Sequence, residues 1–246
     1  FHQTSREFLS PEDSALESYV GRLRTEDTMG TQLLDEESFL TEIAETQMIL
    51  FGDFHSLPQS QRQFLEILTG FQQRAGHHKA IVCLEMFGVE DQACLNSYIT
   101  GLIEFQELVV QTQLEKMWPF PIQQYRPILE FCRAHHIRVV GFNNSSLALE
   151  ERDEFAAAIF KVLLERNDNH KLFVLFGECH LADPHLPRYL DSYQGTGVEL
   201  SFKCIISNPF PETPAEVFQN GSAKYYKISN KMILGFNAPS WMKWQS

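Results

Sequence analysis

Four short and nearly uninterrupted apolar runs, Met48–Phe51, Ala80–Met86, Ile137–Phe142 and Leu172–Phe176, constrain this chain more than any other feature. A strand with one wet face alternates apolar and polar residues. A strand that is apolar throughout is buried on both faces, as in a parallel sheet covered by helices. The intervening stretches have helical spacing. Pro58–Gln73 places Phe64, Leu65, Leu68 and Phe71 on one stripe, and Asp91–Tyr98, Ile103–Thr112, Ile122–His135 and Leu147–Arg166 read as further helices. Upstream, Ser10 and Pro11 start a helix that continues through Leu23, and Asp35–Thr46 forms another. Leu200–Ile206 reads as a fifth buried strand, with a hairpin from Tyr225–Ile228 and Met232–Gly235. Strands alternating with helices predict a three-layer α/β fold, its central sheet mainly parallel, with an antiparallel hairpin at the C-terminal edge. The expected organisation is a single domain over 1–246, with a core of about 46–206 and a helical extension at 10–45. The proline-rich stretch Asn208–Pro214 is the best candidate for a boundary.

A chain of 246 residues buries enough surface to fold without disulfides or structural metals. Its net charge of −12 repels phosphate backbones, which argues against a nucleic-acid partner. No stretch has the roughly 18–20 apolar residues of a membrane span. Five cysteines at irregular spacing favour free thiols over a disulfide framework, and so a reducing compartment such as the cytoplasm.

Two strand ends are nearly the same sentence. Ile49-Leu50-Phe51-Gly52-Asp53-Phe54-His55 and Val174-Leu175-Phe176-Gly177-Glu178-Cys179-His180 both read aliphatic, Leu, Phe, Gly, acid, variable, His. In open parallel sheets, ligands bind beyond the carboxyl ends of the strands. Each glycine sits where its strand leaves the sheet and permits close approach of backbone to a ligand. If the chain stays extended, Asp53 shares a face with His55, and Glu178 with His180. Glu85 ends the Ala80–Met86 strand and needs a partner, because a lone buried carboxylate is expensive. The expectation is that His55, Glu85 and His180 converge as a catalytic group. These three, with Asp53 and Glu178, are also the candidate ligands for a divalent metal such as manganese, cobalt, zinc or iron. Such a metal would acidify a bound water and polarise a carbonyl. The competing reading is that the acids cap helices and the histidines bond locally.

Downstream, His185, Arg188 and Tyr189 offer an imidazole, a cation and a phenol near His180, candidates for holding an anionic cofactor. Trp118, Phe120 and Tyr125 form an aromatic break between helices, either core or a wall for a flat ligand. His77-His78 and His135-His136 precede strands and read as solvated turns.

In chain order, Gly52-Asp53-Phe54-His55, then Leu84-Glu85-Met86-Phe87 with Gln92, Trp118, Tyr125-Arg126-Pro127-Ile128, Gly141-Phe142-Asn143, and Gly177-Glu178-Cys179-His180 followed by Leu186–Leu190 resemble the ChaN-like proteins. That family stands in a superfamily with the Tiki/TraB proteins and the erythromycin esterases. The similarity spans roughly Thr46 to Leu190. It implies an α/β fold with a central sheet and one of two activities. One is haem binding and iron uptake, often by bacterial membrane-anchored lipoproteins with haem at a homodimer interface. The other is metal-dependent hydrolysis of peptides or esters, using two Gly-x-x-His motifs and a glutamate, here Gly52, His55, Glu85, Gly177 and His180. A third possibility is a pseudoenzyme that keeps the fold as a binding scaffold. Asp53 stands where the family's first motif usually carries Glu, and His185-Leu186-Pro187 where Gly-Val-Pro is usual.

Overall fold

The apolar runs form strands whose alternate side chains enter two separate cores. In strand β2 (Met48–Asp53), Ile49 and Phe51 face one core while Met48 and Leu50 face the other. In β5 (His170–Gly177), Phe173 and Leu175 oppose Leu172, Val174 and Phe176 in the same way. Both faces are dry, so no polar alternation is needed, and the period of two survives only as a choice of core. This computed structural model describes residues 32–74, 79–144, 146–167, 169–182, 185–193, 200–208, 224–238 and 241–244. The helix expected at 10–23, His77-His78 and nearly all of the Asn208–Pro214 stretch lie outside them.

Among the described residues, one eight-stranded sheet runs in the order β1-β7-β8-β6-β2-β5-β3-β4. The remaining strands are β1 (Gln32–Leu34), β3 (Lys79–Gly88), β4 (Arg138–Asn143), β6 (Phe202–Ser207), β7 (Lys224–Lys227) and β8 (Met232–Phe236). Pairings from β8 through β6, β2, β5 and β3 to β4 are parallel. β7 runs antiparallel to both β8 and β1. The mainly parallel three-layer fold and its C-terminal hairpin are therefore as read. The outermost strand is instead β1, a three-residue element inside the stretch assigned to a helical extension. It is too short to carry a period, and its pairing with β7 supplies the reason for its extended form.

Helices α1 (Glu36–Glu45), α2 (Pro58–Arg74), α3 (Gln92–Ile99), α4 (Phe105–Gln111), α5 (Leu114–Met117) and α6 (Arg126–Ala134) place their buried side chains in the first core. Asp35 caps α1 by accepting the Ser38 N–H at 2.8 Å, and Pro127 sits in the first turn of α6. Helices α7 (Leu149–Arg166) and α8 (Leu186–Ser192) cover the other face, and a short α9 (Trp241–Trp244) follows β8. No helix among the described residues is long and apolar enough to cross a membrane.

The register positions the site. Asp53 of β2 lies opposite Gly177 of β5, and Leu84 of β3 lies opposite Leu175. Three adjacent parallel strands thus bring Asp53, Glu85 and Gly177 to one edge, where ligands of open α/β sheets bind.

Candidate functional site

Glu85 is the centre. Its side chain is 8% exposed and lies between two imidazoles, with His55 Nε2 3.6 Å from Oε2 and His180 Nε2 3.7 Å from Oε1. The backbone N–H of Gly177 donates to Oε2 at 2.7 Å. A Cβ added at Gly177 would stand 3.1 Å from His55 Nε2, 3.3 Å from Glu85 Oε2 and 3.4 Å from His180 Cδ2. The glycine is thus a matter of room for the three functional groups. Gly52 serves packing: a Cβ there would meet Glu178 Cγ at 3.1 Å and Ile206 Cδ1 at 3.2 Å.

Each imidazole has a carboxylate on its far nitrogen. His55 Nδ1 lies 2.9 Å from Asp53 Oδ2. Asp53 also accepts from the Tyr125 hydroxyl at 2.6 Å and from the Gln61 amide. The strand ends at Asp53 and the chain turns from Phe54 to Leu57, yet the two side chains still meet. His180 Nδ1 lies 2.5 Å from Oδ1 of Asp153, a fully buried residue of α7. Oδ2 of the same carboxylate lies 3.1 Å from His185 Nδ1. Glu178 does not play the part of Asp53. Residues Glu178–Leu181 form a turn of 3₁₀ helix, which ends the strand's alternation at the point where Glu178 stands. There it is held by Lys243 Nζ at 2.6 and 2.8 Å, and that ammonium also donates to the Ser207 carbonyl at 2.8 Å.

Sequence reasoning missed Asp153, Lys243 and Gln61. Asp153 falls inside the helix expected at Leu147–Arg166, where the sequence reading gave it no role. Yet Asp153 heads the stripe that continues through Ala156, Ala157 and Phe160, all buried, and that spacing was the available signal.

Aromatic rings fix the imidazole planes. His180 stacks on Phe176, with centroids 3.7 Å apart and planes 13° apart. His55 packs against Trp118 at 4.7 Å and Phe120 at 4.6 Å. Trp118 and Tyr125 are both core and site wall.

The two histidines are driven in opposite directions. Burial disfavours charge on His55, but the Asp53 hydrogen bond and the Glu85 carboxylate outweigh it and raise its pKa above the usual 6.5. Burial dominates at His180 and lowers its pKa to about 4, opposed by Glu85 and assisted by Arg152. Burial raises Glu178, with Lys243 offsetting part of the effect. It raises the Tyr125 hydroxyl as well, reinforced by neighbouring Asp53.

Of the five candidate metal ligands, His55, Glu85 and His180 turn toward one another, while Asp53 and Glu178 are taken up by other partners. Among the described residues, no group of three or more His, Cys, Asp or Glu side chains is arranged to hold a metal ion. On α8, Arg188 is exposed and Tyr189 is half-buried against the second core. Only His185 of that trio reaches the centre, through Asp153. A groove of about 620 Å³ lined by Leu33, Phe39, Ile67 and Tyr225 lies elsewhere, beside β1.

A family model described as haem-binding uptake, Tiki superfamily, ChaN matches residues 39–151. No curated protein matches the chain. Among solved structures, ChaN of Campylobacter jejuni, which binds haem cofacially, superposes with a TM-score of 0.57 at 12% identity, covering 82% of this chain and 91% of that one. The type III effector HopBA1 superposes at 0.52 with 11% identity, over 85% and 97% of the two chains. The ChaN-like resemblance is thus shown, residues 39–151 carry the haem-binding family's pattern, and the fold is the ChaN fold. The Glu85 centre does not suit a porphyrin as it stands. His55 Nε2 faces Glu85 and lies over Gly177, where even one added carbon would crowd it.

Proposed function

We propose that the Glu85 centre is a general acid–base site that hydrolyses an ester or amide carbonyl. The observation that carries this reading is one carboxylate set between two imidazoles whose pKa values are driven apart. Paired titratable groups separated in this way supply an acid and a base at one pH. Near neutral pH, His180 is uncharged and His55 can hold a proton. His180 Nε2 takes a proton from a water as its oxygen bonds to the substrate carbonyl carbon. His55 Nε2 gives its proton to the departing oxygen or nitrogen as the carbon–heteroatom bond breaks. One water is consumed, and exchange with solvent resets both imidazoles. Glu85, fixed by the Gly177 N–H, orients the two Nε2 atoms and the water between them. Asp53 supports the imidazolium of His55.

The test is turnover on a panel of activated esters and short peptides. Glu85→Gln and His180→Ala should each lower it by about 10²–10⁴-fold with the fold kept. Unchanged turnover in both variants would overturn the reading.

The family match supports a second reading, haem binding; we propose for it a place outside the Glu85 centre, with His185, Arg188 and Tyr189 as neighbours and two copies of the chain sharing it. Titration with haem should then give a saturable Soret change that Tyr189→Phe or Arg188→Gln weakens and Glu85→Gln leaves alone, with sedimentation reporting a dimer. A non-saturating titration would count against it.

A further inference from the structure

We propose that Asp153 is the positioning residue of this site: it fixes His180 as the tautomer protonated on Nδ1, so that the lone pair of Nε2 faces Glu85, and His185 is the second clamp on its carboxylate. The inference goes beyond the hydrolytic reading and holds whatever reaction the site performs.

The stack on Phe176 sets the plane of the His180 ring but not its sense. A half-turn about the Cβ–Cγ bond leaves the ring in the same plane while exchanging nitrogen edges for carbon edges. Something else must hold Nε2 toward Glu85, and the contact with that directional power is Asp153 Oδ1, 2.5 Å from Nδ1. We take Asp153 as the ionised partner: a carboxylate in that state only accepts hydrogen bonds, so the nitrogen facing it carries the proton. The other nitrogen is then a lone pair 3.7 Å from Glu85 Oε1.

His185 completes the arrangement. Its Nδ1 lies 3.1 Å from Oδ2 of the same carboxylate, so each oxygen of Asp153 meets one imidazole N–H. A carboxylate free to rotate would leave His180 free to turn, and the second contact removes that freedom. Asp153 itself cannot drift, because its side chain is 0% exposed and its backbone belongs to a helix of 18 residues whose buried stripe packs in the second core.

Replacing Asp153 by Asn keeps the shape but leaves one acceptor oxygen for two imidazoles. One of them must meet an N–H instead, and the proton on that ring must move to Nε2. The experiment is a long-range ¹H–¹⁵N correlation spectrum of the histidine rings in the full chain, assigned with His180→Gln. Wild-type His180 should show the Nδ1–H pattern. In Asp153→Asn, and more fully in Asp153→Ala, the Nε2–H pattern should grow at His180, at His185 or at both. An Nε2–H tautomer of His180 in the wild-type protein overturns the proposal by itself, even if neither variant folds. So does an unchanged Nδ1–H pattern at both histidines in a folded variant. No substrate is involved, so the result is independent of whether the site is hydrolytic.

Discussion

Glu85 and Gly177 are joined by a 2.7 Å hydrogen bond from backbone to side chain, and it ties the end of β3 to the end of β5. These strands are neighbours, so the bond needs no loop to form it, and it locks one carboxylate oxygen relative to the sheet itself. Sites built on rigid elements hold their geometry better than sites on loops.

Gly177→Ala is therefore a probe of site geometry. Its φ of −48° is open to any residue, so the backbone is not strained by the change. The added methyl would press on His55 Nε2, Glu85 and His180 together. Stability should fall by about 1–3 kcal/mol, as for modest overpacking, while turnover falls by 10-fold or more. Thermal melts and turnover together check this, and a variant with full activity would mean that the three groups relax freely.

The pH profile follows from the two shifts. His180 must be neutral to accept a proton, so activity should rise as pH climbs through about 4. His55 must be protonated to donate one, so activity should fall as pH passes its raised pKa, above 6.5. A bell with a broad top between these limits is expected in kcat/KM. A profile that only rises above neutrality would mean that His55 is not the acid.

Much of this centre was legible in the sequence because it sits on strand ends. A buried strand is recognisable as an apolar run, and the glycine that ends it marks the exit to the crevice, so His55, Glu85 and His180 could be named from pattern. The Asp53–His55 contact was legible because the two residues lie only two apart at the strand exit, although the chain turns there rather than staying extended. The partner of His180 was not, because alternation stops where Glu178–Leu181 winds into a 3₁₀ turn. Asp153 and Lys243 come from α7 and α9, distant in sequence, and only packing brings a helix residue to a strand end. β1 escaped for a related reason: its three residues take their form from β7.

Lys243 and Glu178 make a buried ion pair, their side chains 1% and 4% exposed. Lys243→Met should cost about 3–5 kcal/mol, because it leaves an uncompensated carboxylate in the interior. The double variant Lys243→Met/Glu178→Leu should recover most of that loss. Denaturant unfolding of the wild type, Lys243→Met, Glu178→Leu and the double variant gives the coupling, and additive losses would show that the pair is not acting as a unit.

Tyr125 offers the sharpest test of how Asp53 tunes His55. Asp53 receives hydrogen bonds from the Tyr125 hydroxyl and the Gln61 amide besides its contact with His55. Each donor disperses negative charge that would otherwise act on the imidazole. Tyr125→Phe removes one donor and nearly nothing else, since the ring stays against Trp118. The carboxylate should then stabilise the imidazolium more strongly, raising the His55 pKa further. His180 is oriented by a different acid, so its own titration near 4 should hold. Followed by NMR, the His55 titration should move to higher pH in Tyr125→Phe while that of His180 stays in place. In turnover, only the alkaline limb of the bell should move, in the same direction. A shift of His55 to lower pH would mean that the Tyr125 hydroxyl, 3.4 Å from His55 Nδ1, acts on the imidazole directly rather than through Asp53.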